Sequence, residues 1–257
     1  MPDSGTIEVQ GLRAVYGTLA GTRAGHNQDA ALLGVAPGGL VCAVADGVGS
    51  TPGAAAAARA AVETTLAAYL AGAGQGAEQA LRAAVEAAHH AVRAATDDGT
   101  GAAYGATTIV VAVVRGLRLH VASAGDSRAY AIAPDGRLDQ ITTDHSWVEE
   151  QVRAGALEQS RAAAHPWRSV ITRYLGGETA PEVDLFDRIL NPGSGVLLCS
   201  DGLMAVLSED EVASAIAFQD PAAAVDALLT LARERQAYDD VTVCIAQLRP
   251  ASGGDSR

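Results

Sequence analysis

Four times in this sequence a short apolar run meets aspartate at one of its ends. Asp46 closes LVCAVAD and is followed by Gly47, and Asp201 closes VLLCSD and is followed by Gly202. Asp126 follows LHVASAG, and Asp239 and Asp240 open onto VTVCIA. Runs this short, bounded by turn residues, read as buried strands. A single aspartate at a strand end is normally a turn former or a helix cap. Four with one syntax constrain the chain more tightly. Strands of packed sheets can gather their ends at one rim, where carboxylates repel one another unless a cation holds them. The pattern therefore predicts a sheet-rich core with a metal site at its edge. Glycine after Asp46 and Asp201 permits a tight turn and lets a backbone carbonyl face the same ion.

Composition removes several other functions. The 257 residues suffice for one large domain with a substantial core. All 18 basic residues are arginine, which excludes a Walker-A lysine, a Schiff-base lysine and a pyridoxal-phosphate anchor. With 30 acidic residues the net charge is −12, so no nucleic-acid partner is expected. Cys42, Cys199 and Cys244 form no CxxC pair and each sits in an apolar run. They read as small buried hydrophobes in a reducing compartment, not as disulfides or zinc ligands. The opening MPDSGTIEVQ lacks the pattern of a signal peptide, and no membrane span is evident. The expectation is a cytoplasmic chain without membrane contact.

Periodicity predicts strands over 6–20 and 30–46, the second with a Pro-Gly-Gly turn. Helices are predicted over 52–71, opening at Thr51-Pro52 with the proline near the first turn, and over 76–95, with Leu81, Val85 and Val92 as a stripe. The block TTIVVAVVRG, LRLHVASAG, SRAYAIAP and GRLDQITT reads as an antiparallel meander. Residues 145–180 are polar, hold Trp147 and Trp167, and read as helix plus a mobile excursion. Strands are predicted at 182–188, 195–200 and 241–248, and helices at 208–217 and 220–236 with Ser208 and Asp220 as N-caps. Residues 1–250 are expected to form a single domain and 251–257 a disordered tail.

With these segments placed, the chain resembles the metal-dependent protein serine/threonine phosphatases of type 2C, the PPM family. The likeness runs in order over roughly residues 12–248. Its segments are HNQDA at 26–30, VADGVG at 44–49, GATTIVVAV at 105–113, ASAGDSRAY at 122–130, TTDHS at 142–146, HPWRSVITRYLG at 165–176, VLLCSDGL at 196–203 and YDDVTV at 238–243. The resemblance implies an α+β fold, a four-layer α-β-β-α sandwich of two packed antiparallel sheets flanked by helices, with a mobile flap at about 146–180. It also implies two Mn²⁺ or Mg²⁺ ions and a third, weaker one. Asp46 would bridge two ions, the Gly47 carbonyl would bind one of them, and Asp201 and Asp239 would complete the other. Asp126 would hold the third ion with Asp201, and Asp29 would orient metal-bound water. The implied reaction is hydrolysis of phosphoserine and phosphothreonine monoesters by direct attack of a water bridging the two ions. Implied partners are phosphorylated proteins and an opposing Ser/Thr kinase, with the enzyme a monomer. The chemistry is coherent in its own terms: hard oxygen donors suit hard cations, and paired cations activate water and neutralise phosphate.

The chain departs from the family pattern in several places. Arg23 is the candidate phosphate clamp, a catalytic and substrate-binding residue, but it stands about one residue too far from Asn27; a plain surface arginine is the other reading. Gln28 replaces a common glutamate. His26 is a candidate substrate-binding group or a solvated loop histidine. Asp240 either strengthens ion binding or caps the strand. Arg128 reads as a structural pairing residue, His145 as a loop-ordering group, and His89-His90 with Glu86 as a solvated helix face. Trp147, Trp167, Arg153 and Arg161 either contact a phosphoprotein or pack the flap onto the body. A catalytically weak pseudophosphatase that binds phosphoproteins is the alternative function. A serine hydrolase built on GDS at 125–127 lacks a GxSxG elbow and a late histidine, and a glycosidase lacks aromatic sugar platforms.

Overall fold

The structure is a computed structural model that describes residues 4–23, 26–97, 99, 105–217 and 219–249. Its elements run β1 (Ser4–Val9), β2 (Leu12–Leu19), β3 (Asp29–Ala36), β4 (Gly39–Asp46), α1 (Ala54–Gly72), α2 (Ala77–Ala95), β5 (Ile109–Arg115), β6 (Arg118–Ala124), β7 (Arg128–Ile132) and β8 (Leu138–Gln140). They continue with α3 (Trp147–Arg153), α4 (Gln159–Ala162), β9 (Asp184–Ile189), β10 (Gly195–Cys199), α5 (Asp201–Val206), α6 (Glu209–Ile216), α7 (Pro221–Glu234) and β11 (Val241–Leu248). The expected tail at 251–257 lies outside the described residues.

Two antiparallel sheets form the centre. One has the order β1-β2-β11-β10-β7-β8 and the other β3-β4-β5-β6-β9. The near-continuous apolar runs follow from burial on both faces. On β4, Val41, Ala43 and Ala45 face the helical layer of α1 and α2. Leu40, Cys42 and Val44 face the opposite sheet. On β11, Val241, Val243 and Ile245 face α6 and α7, while Cys244, Ala246 and Leu248 face the inter-sheet core. The result is the expected α-β-β-α sandwich. Cys42, Cys199 and Cys244 are buried and free. No helix among the described residues is long and apolar enough to cross a membrane.

Four sequence expectations need correction. The meander is broken: β5 and β6 pair in one sheet, but β7 and β8 belong to the other. The chain crosses between sheets at Gly125–Ser127. Gly125 has φ +121°, a conformation open to glycine and strained for a residue with a side chain. Helix α1 opens at Ala54 after Gly53, two residues later than expected, with Pro52 just ahead of its first turn. The 6–20 segment is a hairpin, not one strand, turning at Gln10–Gly11 with both residues at positive φ. His89 is not on a solvated face. It shares the buried stripe of Leu81, Val85 and Val92 on α2, and its Nδ1 accepts the Gly176 N–H at 3.3 Å. Glu86 and His90, off that stripe, are exposed.

Candidate metal centre

The hairpin β3–β4 starts the site. Its register pairs Asp29 directly with Asp46, setting two carboxylates side by side at the open end of one sheet. The Asp46 backbone is fixed from the neighbouring segment. Its N–H donates to Thr108 Oγ1 (3.0 Å), and its carbonyl accepts from Thr108 N–H (2.9 Å) and Thr107 Oγ1 (2.8 Å). Thr108 Oγ1 also shares a 2.7 Å hydrogen bond with Ser127 Oγ, next to Asp126. Gly47 follows in a crowded turn. A Cβ there would stand 2.5 Å from the Ala54 carbonyl oxygen and 2.7 Å from that of Gln28.

The opposite sheet supplies the other acids. Asp201 is the first residue of α5, separated from β10 only by the N-cap Ser200. Asp126 lies on the crossover between sheets and is buried. Asp46 and Asp201 stand close enough that each bears on the other's ionisation. Asp29 Oδ2 accepts Ser200 Oγ–H at 2.7 Å, while its Oδ1 is buried with no hydrogen-bond partner among the described residues.

The electrostatics follow from crowding. Burial, then the charges of Asp29, Asp201 and Asp126, push Asp46 well above the usual carboxylate range. Burial, then Asp201 and Asp144, does the same to Asp126. Asp29 is pushed up to about 7, chiefly by burial; hydrogen bonds from Ser200 and Thr242 oppose the shift, and Asp240 and Asp201 add to it. Asp201 is raised by burial and by Asp239 and Asp144, against the bond from Asp46. Four acids that hinder one another's ionisation are suited to a hard cation, which would replace the missing proton and the missing partner of Asp29 Oδ1. The donor set thus fits the implied ions. Among the described residues, however, no three acids already converge as a ready-made cage.

Asp239 shows why. It is engaged by Arg23, with NH1 3.2 Å from Oδ2 and NH2 3.2 Å from Oδ1. Arg23 also donates to Gln28 Oε1 at 3.3 Å. Arg23 is therefore at the site, but joined to an expected metal ligand. Asp240 is a strand cap: Oδ1 accepts Gly21 N–H (2.8 Å) and Oδ2 accepts Gln28 N–H (2.7 Å), closing the loop between β2 and β3. His26 is exposed on that loop.

Other groups flank the rim. Arg128 forks onto Asp144, with Nε 2.9 Å from Oδ1 and NH2 2.6 Å from Oδ2, and NH1 donates to Tyr130 Oη at 3.0 Å. This is the structural pairing expected of Arg128. His145 orders a loop, as expected, by accepting Gly125 N–H on Nδ1 at 3.0 Å. Trp147 stacks on His165 and meets Trp167 edge-on, yet Trp167 remains 54% exposed. The sequence reading missed Ser200, Thr242 and Thr108. Each hydroxyl or amide is silent in a strand pattern, although Thr108 and Ser200 lie inside the GATT and CSD segments.

Comparison with known proteins agrees with this geometry. The family model for Protein phosphatase 2C matches residues 17–238. A putative protein phosphatase 2C-type of Streptococcus pyogenes is 34% identical over 145 residues, covering 55% of this chain and 57% of that protein. The serine/threonine protein phosphatase PstP of Mycobacterium tuberculosis is 36% identical over 142 residues, covering 55% of this chain and 27% of PstP. The chain thus spans about half or less of the length of these curated relatives. The crystal structure of M. tuberculosis PstP/Ppp superposes with a TM-score of 0.82 at 31% identity, covering 93% of this chain and 99% of that one. The PstP catalytic domain solved with two manganese ions gives 0.79 at 29% identity, covering 93% and 98%. Stp1 of Staphylococcus aureus gives 0.83 at 27% identity, covering 92% and 94%. The order of the strands, the acids at their ends and the matched length agree: this chain belongs to the protein phosphatase 2C family.

Proposed function

We propose that the chain is a metal-dependent protein phosphatase that hydrolyses phosphoserine and phosphothreonine monoesters. The observation that carries this reading is the gathering of Asp29, Asp46, Asp126 and Asp201 at one rim, where Asp29 pairs in register with Asp46 and the acids hinder one another's ionisation. Asp46, the Gly47 carbonyl, Asp201 and Asp239 would hold two Mn²⁺ or Mg²⁺ ions, and Asp126 with Asp201 a third. Such ions, when bound, lower the pKa of water and neutralise phosphate oxygens. Asp29, held by Ser200 through Oδ2, would orient metal-bound water with its other oxygen. Arg23, once released from Asp239, supplies a forked donor for phosphate oxygens. Thr107 and Thr108 keep the Asp46 backbone rigid, so the carboxylate does not reorganise during reaction.

Residues 1–250 act in this reading as one catalytic domain, a monomer opposing a separate Ser/Thr kinase, with no nucleic-acid or membrane partner. Three buried free thiols favour a reducing compartment such as the cytoplasm. Retention of every candidate acid weighs against the pseudophosphatase alternative.

The test is hydrolysis of p-nitrophenyl phosphate and a phosphothreonine peptide with Mn²⁺, Mg²⁺ or EDTA, beside Asp201→Ala. Turnover that disappears in EDTA and in the variant is the expected result. Folded protein that binds Mn²⁺ but turns over neither substrate would overturn the proposal.

A further inference from the structure

His145 is buried, and its polar atoms join two parts of the molecule. Its backbone N–H donates to the Gly125 carbonyl at 3.0 Å. Its Nδ1 accepts the Gly125 N–H, also at 3.0 Å. One residue thus grips both polar groups of Gly125, whose φ of +121° sets the crossover carrying Asp126. On its other side the His145 carbonyl accepts Thr172 N–H at 2.8 Å. Its Nε2 lies 3.1 Å from Asp184 Oδ2, and Asp184 Oδ1 accepts from Arg173 NH1 at 2.8 Å. Because Nδ1 accepts, Nε2 is the ring nitrogen that can carry a proton toward Asp184, and Arg173 NH1 lies 3.3 Å from the same Nε2.

Thr172 and Arg173 are where the excursion after His145 rejoins the body. Ser146 and Ile171 bridge its base, and Trp147 N–H donates to the Val170 carbonyl at 2.8 Å. Asp184 and Arg173 could tie the excursion to β9 without help, and Thr108 crowds Gly125 from below. Only the imidazole reaches both. We infer that His145 is a positioning residue that locks the Gly125–Asp126 turn to the return of the 146–174 excursion, so that the two are held in one register. Its link to catalysis rests on the phosphatase reading; the lock itself does not.

Two variants split the lock. In His145→Asn the side-chain oxygen can still accept Gly125 N–H but falls short of Asp184. In His145→Gln the longer amide can reach Asp184 but leaves Gly125 without its acceptor. The full chain is tested by limited trypsin digestion and by Mn²⁺ calorimetry, with thermal melting as a control. Lysine is absent, so every cut falls at arginine, and Arg153, Arg161 and Arg168 are exposed on the excursion.

His145→Asn is expected to speed cutting at Arg161 and Arg168 by about tenfold, the effect of one lost hydrogen bond, with Mn²⁺ affinity retained. His145→Gln is expected to keep the slow digest and to weaken the weakest Mn²⁺ site by about tenfold. Wild-type behaviour of both variants in both readouts would overturn the inference. Equal loss of both properties in both variants, in step with a lower melting temperature, would also overturn it. Neither readout needs turnover. An inactive wild type would sink the phosphatase reading while the digests still judged the lock.

Discussion

Arg23 and Asp239 face each other as a two-pronged pair, each guanidinium nitrogen 3.2 Å from its own carboxylate oxygen. Both side chains are one-third exposed, so the pair is worth little to stability. Its interest is competition. Asp239 cannot serve a cation fully while Arg23 holds it, and Arg23 cannot take a phosphate while it holds Asp239.

Arg23→Ala should therefore have two opposed effects. The KM for a phosphothreonine peptide should rise roughly 10- to 100-fold through loss of a charge-assisted fork. The Mn²⁺ concentration giving half-maximal rate should fall, because Asp239 is freed. Steady-state kinetics across a Mn²⁺ series reads both, and an unchanged KM would remove Arg23 from the substrate.

Asp29 gives a pH prediction. Its carboxyl is raised from 3.8 to about 7 in the folded chain. Below pH 4 both folded and unfolded states keep the proton, and nothing is lost. Between pH 4 and 7 the unfolded state ionises first, so stability falls as pH rises, by at most about 4 kcal/mol for this group. Melting in EDTA should show that fall, and Asp29→Asn should flatten it and raise the melting temperature at pH 7.5. Asp46, Asp126 and Asp201 are shifted the same way, so flattening will be partial. A metal-free protein that grows more stable over this range would contradict the crowding of the acids.

Gly47→Ala tests the tight turn. The added methyl meets two backbone carbonyl oxygens, at 2.5 and 2.7 Å, neither of which is a flexible side-chain end. The hairpin end must shift, moving the carbonyl expected to bind an ion. We expect destabilisation of about 2 kcal/mol and Mn²⁺ affinity reduced at least tenfold. Calorimetric Mn²⁺ affinity equal to that of the native chain would show that Gly47 is not a ligand.

Arg128 and Asp144 form a partly buried fork beside the acids. Arg128→Met alone should cost about 2 kcal/mol, since it leaves Asp144 beside Asp201 and Asp126. Adding Asp144→Asn should recover part of that loss. A double-mutant cycle by urea denaturation with zero coupling would show the fork to be energetically idle.

The sequence determined the strands, the buried cysteines and the acids at strand ends, because these are local properties. Alternate residues of β4 and β11 must both be apolar when both faces are covered, and an aspartate that ends such a run must emerge at a rim. It did not determine which sheet each strand joins. β6 and β7 are equally apolar and separated by a short turn, so adjacency favoured a meander; the Gly125 crossover sends them to different sheets and thereby places Asp126. Nor did it determine that His89 is inside, since helix phase relative to the sheet is set by packing. Arg23 and Asp239 are 216 positions apart, as are few paired groups a local pattern could relate. Partnerships of that kind belong to the tertiary structure, because they depend on how two sheets stack and which loop ends then meet at their common edge.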